Sequence, residues 1–212
     1  MYIMKFLETR FEEYTDATSR LNMHPKLQPI FDAFPPKLMD MGNLIFYGPG
    51  GVGKYSQMLH AIKKYSPTLL KYEKKLNIAY EKKNFIFKIS DVHFEIDMSL
   101  LGCVSKILWY DIYQQIINIL SSRQDKNGII VCKNFHLIHG ELLEVFYSYM
   151  QENMNTSINI KFIILTESIS FIPNPILNCS EIIYVKRPSK NIYVQCLKSN
   201  GSNSIIVPKV ST

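Results

Sequence analysis

The sequence predicts an α/β fold built on a parallel sheet with helices on both faces. Short apolar segments that favour β-strands alternate with longer segments whose apolar residues recur at helical spacing. Strands that are separated by helices run in one direction, because each helix carries the chain back across the sheet. The strands are expected at residues 42–47, 85–90, 92–96, 127–135, 160–168 and 180–188, and the main helices at 53–65, 106–120 and 141–153.

The 212 residues are enough for one such domain with a short segment on either side. Residues 1–40 are expected to form a connector that holds a helix at about 2–14 and a proline-containing stretch with a short helix at 26–34. Residues 41–190 would form the central domain, and residues 191–212 a polar tail. We expect neither a membrane span nor a secretory signal, since no sufficiently long apolar stretch is present and the amino end lacks a continuous apolar core.

The cysteines indicate a reducing, intracellular environment. Four are scattered along the chain and no two form a CxxC pair; they are Cys103, Cys132, Cys179 and Cys196. Such a pattern favours buried thiols over a disulfide framework or a metal site. We therefore predict no metal ligands of this kind.

The charge is compatible with nucleic acid but not with sequence-specific reading of DNA. The net charge is +6, yet only four of the 24 cationic residues are arginines, the preferred readers of guanine edges. The lysine-rich segment LKYEKKLNIAYEKK, residues 70–83, is expected to be a solvated helix face. Its lysines could contact the DNA backbone without base readout.

A phosphate-binding loop is predicted where the first strand of the central domain meets its helix. The segment YGPGGVGKYS matches the pattern GxxxxGK[ST] except at its last position, where Tyr55 replaces the Ser or Thr whose hydroxyl binds magnesium. Ser56 comes one residue later and points elsewhere on the helical period. The predicted phosphate-binding residues are Gly48, Pro49, Gly50, Gly51, Val52, Gly53, Lys54, Tyr55 and Ser56, with Thr166 at the end of a later strand.

The acidic pair of a hydrolysing site is missing. A phosphate-loop ATPase needs carboxylates at the end of a second strand to hold magnesium and activate water. After the apolar run GIIVC this chain has Lys133 and Asn134 instead. We therefore predict no catalytic residue and no metal site.

These segments, in this order, resemble a clamp-loader small subunit of the replication factor C type, a member of the AAA+ ATPases. The resemblance rests on GPGGVGK at 48–54, HFEID at 93–97, IIVCKNFHLIHGELLEVFYSYMQ at 129–151 and FIILTESISFIPNPILNCSEIIYVKRPS at 162–189. It covers about residues 20–195. The family carries an arginine finger near the position of Leu177–Ser180, and this chain has no arginine there.

The resemblance implies a non-hydrolysing member that supports the ATP sites of its neighbours. Its expected ligand is ATP or ADP without a magnesium site. Its expected partners are other clamp-loader-like ATPase subunits, a sliding clamp and DNA, reached through backbone contacts and with no membrane involved. The expected location is the nucleus or a viral replication site. Family members continue into a helical lid and a collar, and we expect neither within this sequence.

Two other interpretations remain open. The chain could be an active ATPase with displaced ligands, using Ser56 for magnesium and Glu141 or Glu167 as the acid. It could also be a P-loop domain reused as a structural or protein-interaction component, since a fold alone does not determine function.

Overall fold

A computed structural model describes residues 10–80, 83–151 and 157–199 of the chain. The helices in this part are α1 (Phe11–Arg20), α2 (Gln28–Asp32), α3 (Lys54–Ile62), α4 (Ser105–Ser121), α5 (Gly140–Met150), α6 (Asn174–Asn178) and α7 (Lys190–Ser199). The strands are β1 (Asn43–Tyr47), β2 (Lys74–Tyr80), β3 (Lys83–Ile89), β4 (His93–Asp97), β5 (Asn127–Lys133), β6 (Asn159–Thr166) and β7 (Ser180–Tyr184).

The strands form one mixed sheet in the order β2-β3-β4-β5-β6-β1-β7. All neighbouring pairs from β4 to β7 are parallel, whereas β2 and β3 add an antiparallel ribbon at one edge. The predicted α/β fold with a mainly parallel sheet is confirmed. Every expected strand of the central domain is present, with bounds that differ by a few residues.

Strand β2 corrects the prediction for the lysine-rich segment, which is not a helix. Residues 74–80 alternate with a period of two, so that Ile78 is buried between the exposed Asn77 and Ala79. The lysines obscured this alternation, because Lys74 and Lys75 are exposed at the start of an edge strand. Lysine is common on such edges, where it discourages pairing with other chains.

Helices cover both faces of the sheet, as predicted. On one face α4 and α5 bury Trp109 and Phe146, which pack with Phe162 of β6. On the other face α1, α2 and α3 contribute a second cluster that includes Phe11 and Phe31. The strands between them are buried on both sides, which explains their continuous apolar sequences.

The sheet brings the carboxyl ends of its parallel strands to one edge. Tyr47 at the end of β1 pairs with Thr166 of β6, and Asp97 at the end of β4 pairs with Lys133 of β5. Ligands of open α/β sheets bind beyond this edge. The candidate site therefore lies there.

The segments that flank the central domain are also partly helical. The helix expected at 2–14 begins in residues outside the described part, and the described helix α1 packs against α3. Helix α7 occupies the first ten residues from Lys190, whereas the rest of the expected tail lies outside the described residues. Among the described helices, none combines the length and apolar character that a membrane span requires.

Candidate nucleotide site

The phosphate-loop segment connects β1 to α3 in a conformation that requires glycine at particular positions. A side chain on Gly48 would place its Cβ 2.2 Å from the carbonyl oxygen of Val185. Gly51 and Gly53 have φ angles of +71° and +91°, in the left-handed region that side chains disfavour. Gly53 directly precedes α3, so the first amides of that helix face the loop. The predicted strand, glycine loop and helix are therefore present.

Lys54 reaches back across this loop. Its Nζ donates hydrogen bonds of 2.7 Å to the carbonyl oxygens of Gly48 and Pro49. Burial lowers the pKa of Lys54, while the negative charge of Glu167 acts in the opposite direction. The ammonium group thus lies within the curve of the loop, where an anion would bind.

The loop is fastened to the amino-terminal segment on its other side. Val52 is buried, and its carbonyl oxygen lies 2.6 Å from Nε2 of the buried His24. Met23 lies against Gly53, since a Cβ on that glycine would approach its Cε to 3.3 Å. These contacts hold the loop against the segment that follows α1.

Tyr55 points away from the loop and into a group of charged side chains. Its hydroxyl hydrogen-bonds to the Glu95 carboxylate, and burial together with that carboxylate raises the pKa of Tyr55. The Lys133 ammonium lies 4.9 Å from the centre of its ring, and the Tyr14 ring of α1 makes an edge contact at 4.9 Å. The phenol is therefore a neutral hydrogen-bond donor, held on three sides.

Glu95 is the acceptor at the centre of this group. It is 3% exposed, and its two oxygens lie 3.3 Å from His93 Nε2 and 3.5 Å from Lys133 Nζ. Burial alone would raise the pKa of Glu95, but the hydrogen bond from His93, then Lys133 and Tyr55, outweigh it and lower the pKa. We call Tyr55, His93, Glu95 and Lys133 the Glu95 network.

His93 is held in one tautomer by its neighbour Ser90. The Ser90 Oγ accepts the backbone N–H groups of Val92 and His93 and lies 2.6 Å from His93 Nδ1. Its hydroxyl therefore donates to Nδ1, which leaves Nε2–H to donate to Glu95. Ser90, His93 and Glu95 have the residue types of a catalytic triad, but Ser90 and His93 are 0% exposed and no substrate can reach them.

The second residue at the acidic-pair position is also engaged. The Asn134 amide donates to both carboxylate oxygens of Asp97, at 3.1 and 3.0 Å. Asp97 additionally accepts the backbone N–H and hydroxyl of Ser99. The carboxylate at the end of β4 is thus committed to its neighbours.

Thr166 lies at the expected strand end, but its hydroxyl does not face the loop. It is buried and donates to the Ser168 carbonyl oxygen at 2.6 Å. Instead Glu167 approaches the loop, with Oε1 2.9 Å from the position that a Cβ on Gly50 would take. The sequence pointed to Glu167 as a polar residue at the end of this strand and as one candidate acid of an active ATPase.

A cavity of about 360 Å³ joins these parts. Its lining comprises Tyr14, Gly51, Gly53, Lys54, Tyr55, Ser56, Lys133, Asn134, His136, Leu165 and Glu167. The loop and the Lys133–Asn134 pair therefore meet as the sequence suggested. No sequence motif points to Tyr14 or His136. Tyr14 reaches the cavity through its contact with Tyr55, and His136 through the short turn after β5. Glu141 and Glu144 are exposed on α5 and do not line this cavity.

The residues around this cavity do not fit a magnesium ion. Magnesium takes an octahedral set of oxygen ligands, usually with one or two carboxylates. Next to the loop the chain instead presents the Tyr55 ring and the Lys133 ammonium. The positive charge of Lys133 would repel a magnesium ion. Within the described residues no group of three or more His, Cys, Asp or Glu could hold a metal ion.

The comparison with known proteins supports the fold and nothing finer. No family model matches the chain, and no curated protein matches it in sequence. The solved structures that resemble it include RuvB of Thermotoga maritima, described as a Holliday junction branch migration motor, with a TM-score of 0.47, 12% identity and coverage of 92% of this chain and 53% of RuvB. A threonine-to-valine variant of that protein gives a TM-score of 0.49 at 12% identity and the same coverage.

An arginine-to-alanine variant of the same RuvB gives a TM-score of 0.51 at 15% identity, over 93% of this chain and 55% of the variant. RuvB is an AAA+ P-loop ATPase. The chain has the AAA+ P-loop NTPase fold. It spans about half the length of the RuvB structures that it matches. At such low identity the likeness concerns the fold alone.

Proposed function

We propose that this chain is a nucleotide-binding, clamp-loader-like subunit that hydrolyses ATP weakly or not at all. It would act through partner ATPase subunits that load a sliding clamp on DNA. The nucleotide, ATP or ADP, would lie with its phosphates on the loop and Lys54. The proposal places the chain in a replication assembly of a nucleus or a viral replication site.

One observation supports the proposal that this chain hydrolyses ATP weakly or not at all. The positions that serve magnesium and the attacking water in a phosphate-loop ATPase are Tyr55 and Lys133, and both belong to the Glu95 network. A lysine ammonium cannot act as a metal ligand or as a general base at neutral pH. Glu95 cannot take over this role, because it is buried and already accepts three donors.

The clamp-loader part of the proposal rests on the order of the sequence segments. HFEID forms β4 beside the strand that carries Lys133, and the proline-containing stretch after β6 leads into α6 and β7. In the described part of that stretch, Leu177–Ser180 contains no arginine that could serve a neighbour's ATP site. Such a subunit would support the ATP sites of its neighbours or receive support from them. It would not complete a catalytic site of its own.

The exposed lysines of β2 would assist contact with DNA. Lys74 and Lys75 lie at the free edge of the sheet, and the net charge of the chain is +6. Lysine contacts to phosphates are independent of sequence and weaken as salt rises. This fits a subunit that follows the DNA backbone.

Identification of the bound partners tests this proposal most broadly. We expect the tagged chain to co-purify with larger ATPase subunits and with a sliding clamp. Isolation of neither would contradict the clamp-loader role and favour reuse of the fold as a protein-interaction component. That second candidate is favoured by the exposed apolar side chains of Leu100, Val104 and Ile107, which lie at and before the start of α4.

A thermal shift with nucleotide tests the binding part separately. A ligand present at 100 times its dissociation constant should stabilise the fold by roughly 2.7 kcal/mol. We expect ATP or ADP to raise the melting temperature of the wild type, and Lys54→Ala to abolish the rise. No shift with millimolar nucleotide would mean that the loop binds none.

A further inference from the structure

We propose that the site binds its nucleotide without magnesium, and that Lys133 supplies the positive charge that the metal supplies in other phosphate-loop proteins. This inference rests on the proposed function, because it presumes that the loop binds a nucleotide. The proposed ligand is the metal-free anion of ATP or ADP. Lys133 is the proposed second phosphate-binding lysine, beside Lys54.

Lys133 and Lys54 line the same cavity from two directions. Lys54 begins α3 at the end of the loop, whereas Lys133 ends β5, two strands away from β1 in the sheet. The Lys133 side chain is 33% exposed and lines the cavity. A phosphate group on the loop would therefore meet a fixed positive charge on the side where a metal ion would otherwise lie.

The existing contacts of Lys133 leave it available for an anion. Its ion pair with Glu95 measures 3.5 Å, longer than the roughly 2.7–2.9 Å of a strong charge-assisted hydrogen bond. Glu95 also accepts donors from His93 and Tyr55, so it keeps two partners when Lys133 turns towards a phosphate. The Tyr55 ring beneath the ammonium keeps the lysine at the cavity through a cation–π contact.

The charges of the cavity agree with a metal-free anion. Its lining holds the two lysines and one exposed carboxylate, Glu167. Glu167 opposes the binding of an anion, and Lys54 and Lys133 together exceed its charge. Magnesium would add a cation to a site that already has two, and the carboxylates of Glu95 and Asp97 are bound to other groups.

The test is the dissociation constant of ATP for the full chain, measured by titration calorimetry in excess EDTA and again in excess magnesium. We expect ATP to bind in EDTA at least as tightly as in magnesium. Lys133→Met keeps the length of the side chain and removes its charge. It should weaken binding in EDTA roughly tenfold, the effect of losing one charge-assisted hydrogen bond. Lys133→Arg should retain binding.

Lys106→Met is the matched control, since Lys106 is exposed on α4 and does not line the cavity. It changes the net charge equally and should leave the dissociation constant unchanged. Circular dichroism would verify that each variant is folded. If Lys133→Met does not fold, ATP binding by the wild type in EDTA and in magnesium still tests whether the site needs the metal.

The outcomes separate the two proposals. Binding that requires magnesium, or that is indifferent to Lys133→Met, would overturn the metal-free site and leave the nucleotide-binding subunit standing. The absence of ATP binding under both conditions would overturn both proposals. Magnesium-independent binding that depends on Lys133 would support both.

Discussion

At the scale of single residues, the site is defined by what contacts Glu95. A buried carboxylate is costly unless it is well supplied with donors, and here the donors are Tyr55, His93 and Lys133. Two of these occupy the positions where the loop pattern and the strand pattern call for a hydroxyl and a carboxylate. Tyr55 and Lys133 are linked, because both contact Glu95 and the Lys133 ammonium also lies against the Tyr55 ring.

The Tyr55 hydroxyl should contribute to the stability of the fold. Tyr55→Phe keeps the ring and removes one donor to a buried carboxylate, which should cost roughly 1.5–3 kcal/mol of unfolding free energy in urea. Tyr193→Phe is the control, since Tyr193 is 52% exposed on α7. Equal stability of both variants would contradict the hydrogen bond to Glu95.

The lowered pKa of Glu95 predicts a specific dependence of stability on pH. A carboxyl whose pKa falls on folding contributes stability above its unfolded pKa, and this contribution is lost as pH falls through the lower folded value. Wild type should therefore exceed Glu95→Gln by the largest margin at neutral pH, and the margin should shrink below about the ordinary value of 4.5. Denaturant unfolding across this range measures it.

The control for that experiment is Glu144→Gln, an exposed substitution on α5. Its small difference from wild type should not vary with pH. A margin for Glu95→Gln that stays constant from neutral pH to acid would contradict the account of the Glu95 network.

At the scale of elements, α1 and the junction of β1 with the loop determine how the site is enclosed. The Phe11 ring lies 4.8 Å from the His93 ring, and Tyr14 contacts Tyr55, so α1 covers the Glu95 network. At the other end, Gly48 follows β1 directly beneath the chain that leaves β7. The loop is thus confined from both sides.

Gly48 and Gly42 offer a matched test of this confinement. Gly48→Ala would place a methyl group 2.2 Å from the Val185 carbonyl oxygen, whereas a Cβ on Gly42 meets nothing within 4 Å. We expect Gly48→Ala to cost roughly 1–3 kcal/mol of stability, as for an overpacked core. Gly42→Ala should be close to neutral. Similar melting temperatures for the two variants would show that the junction can relax.

Periodicity predicted most elements, and it failed where a few charged residues hid the pattern. The strands of the central domain and helices α3, α4 and α5 follow from their apolar spacing. Strand β2 was wrongly assigned, because its lysines mimic a solvated helix face. His93 and Glu95 alternate with Phe94 and Ile96 along β4, but this alternation does not reveal that α1 packs over His93.

The candidate site was predicted to a similar extent. The loop residues and the unusual Tyr55 and Lys133 were evident from the sequence. Their common partner Glu95 was not, because a contact between three separate elements has no local signature. The same holds for Thr166, whose hydroxyl turns to its neighbour Ser168, a choice that the strand pattern does not encode.

At the scale of the whole molecule, a P-loop NTPase fold is combined with an ion pair and an aromatic contact beside the glycine loop. The mainly parallel sheet leads through the glycine loop into α3, and Lys54 reaches back across that loop. On the side of β5, the cavity is bordered by the Lys133–Glu95 ion pair and the Tyr55 ring. Under the proposed function, such a subunit would support its neighbours without consuming ATP itself.

The rate of ATP hydrolysis by the purified chain in magnesium, compared with that of Lys54→Ala, tests this account most directly. We expect the two rates to be indistinguishable from each other and from a protein-free background, because Tyr55 and Lys133 occupy the positions that serve magnesium and the attacking water, and Glu95 and Asp97 are bound to other groups. Turnover that rises clearly above background and disappears in Lys54→Ala would contradict the account and favour an active ATPase with displaced ligands.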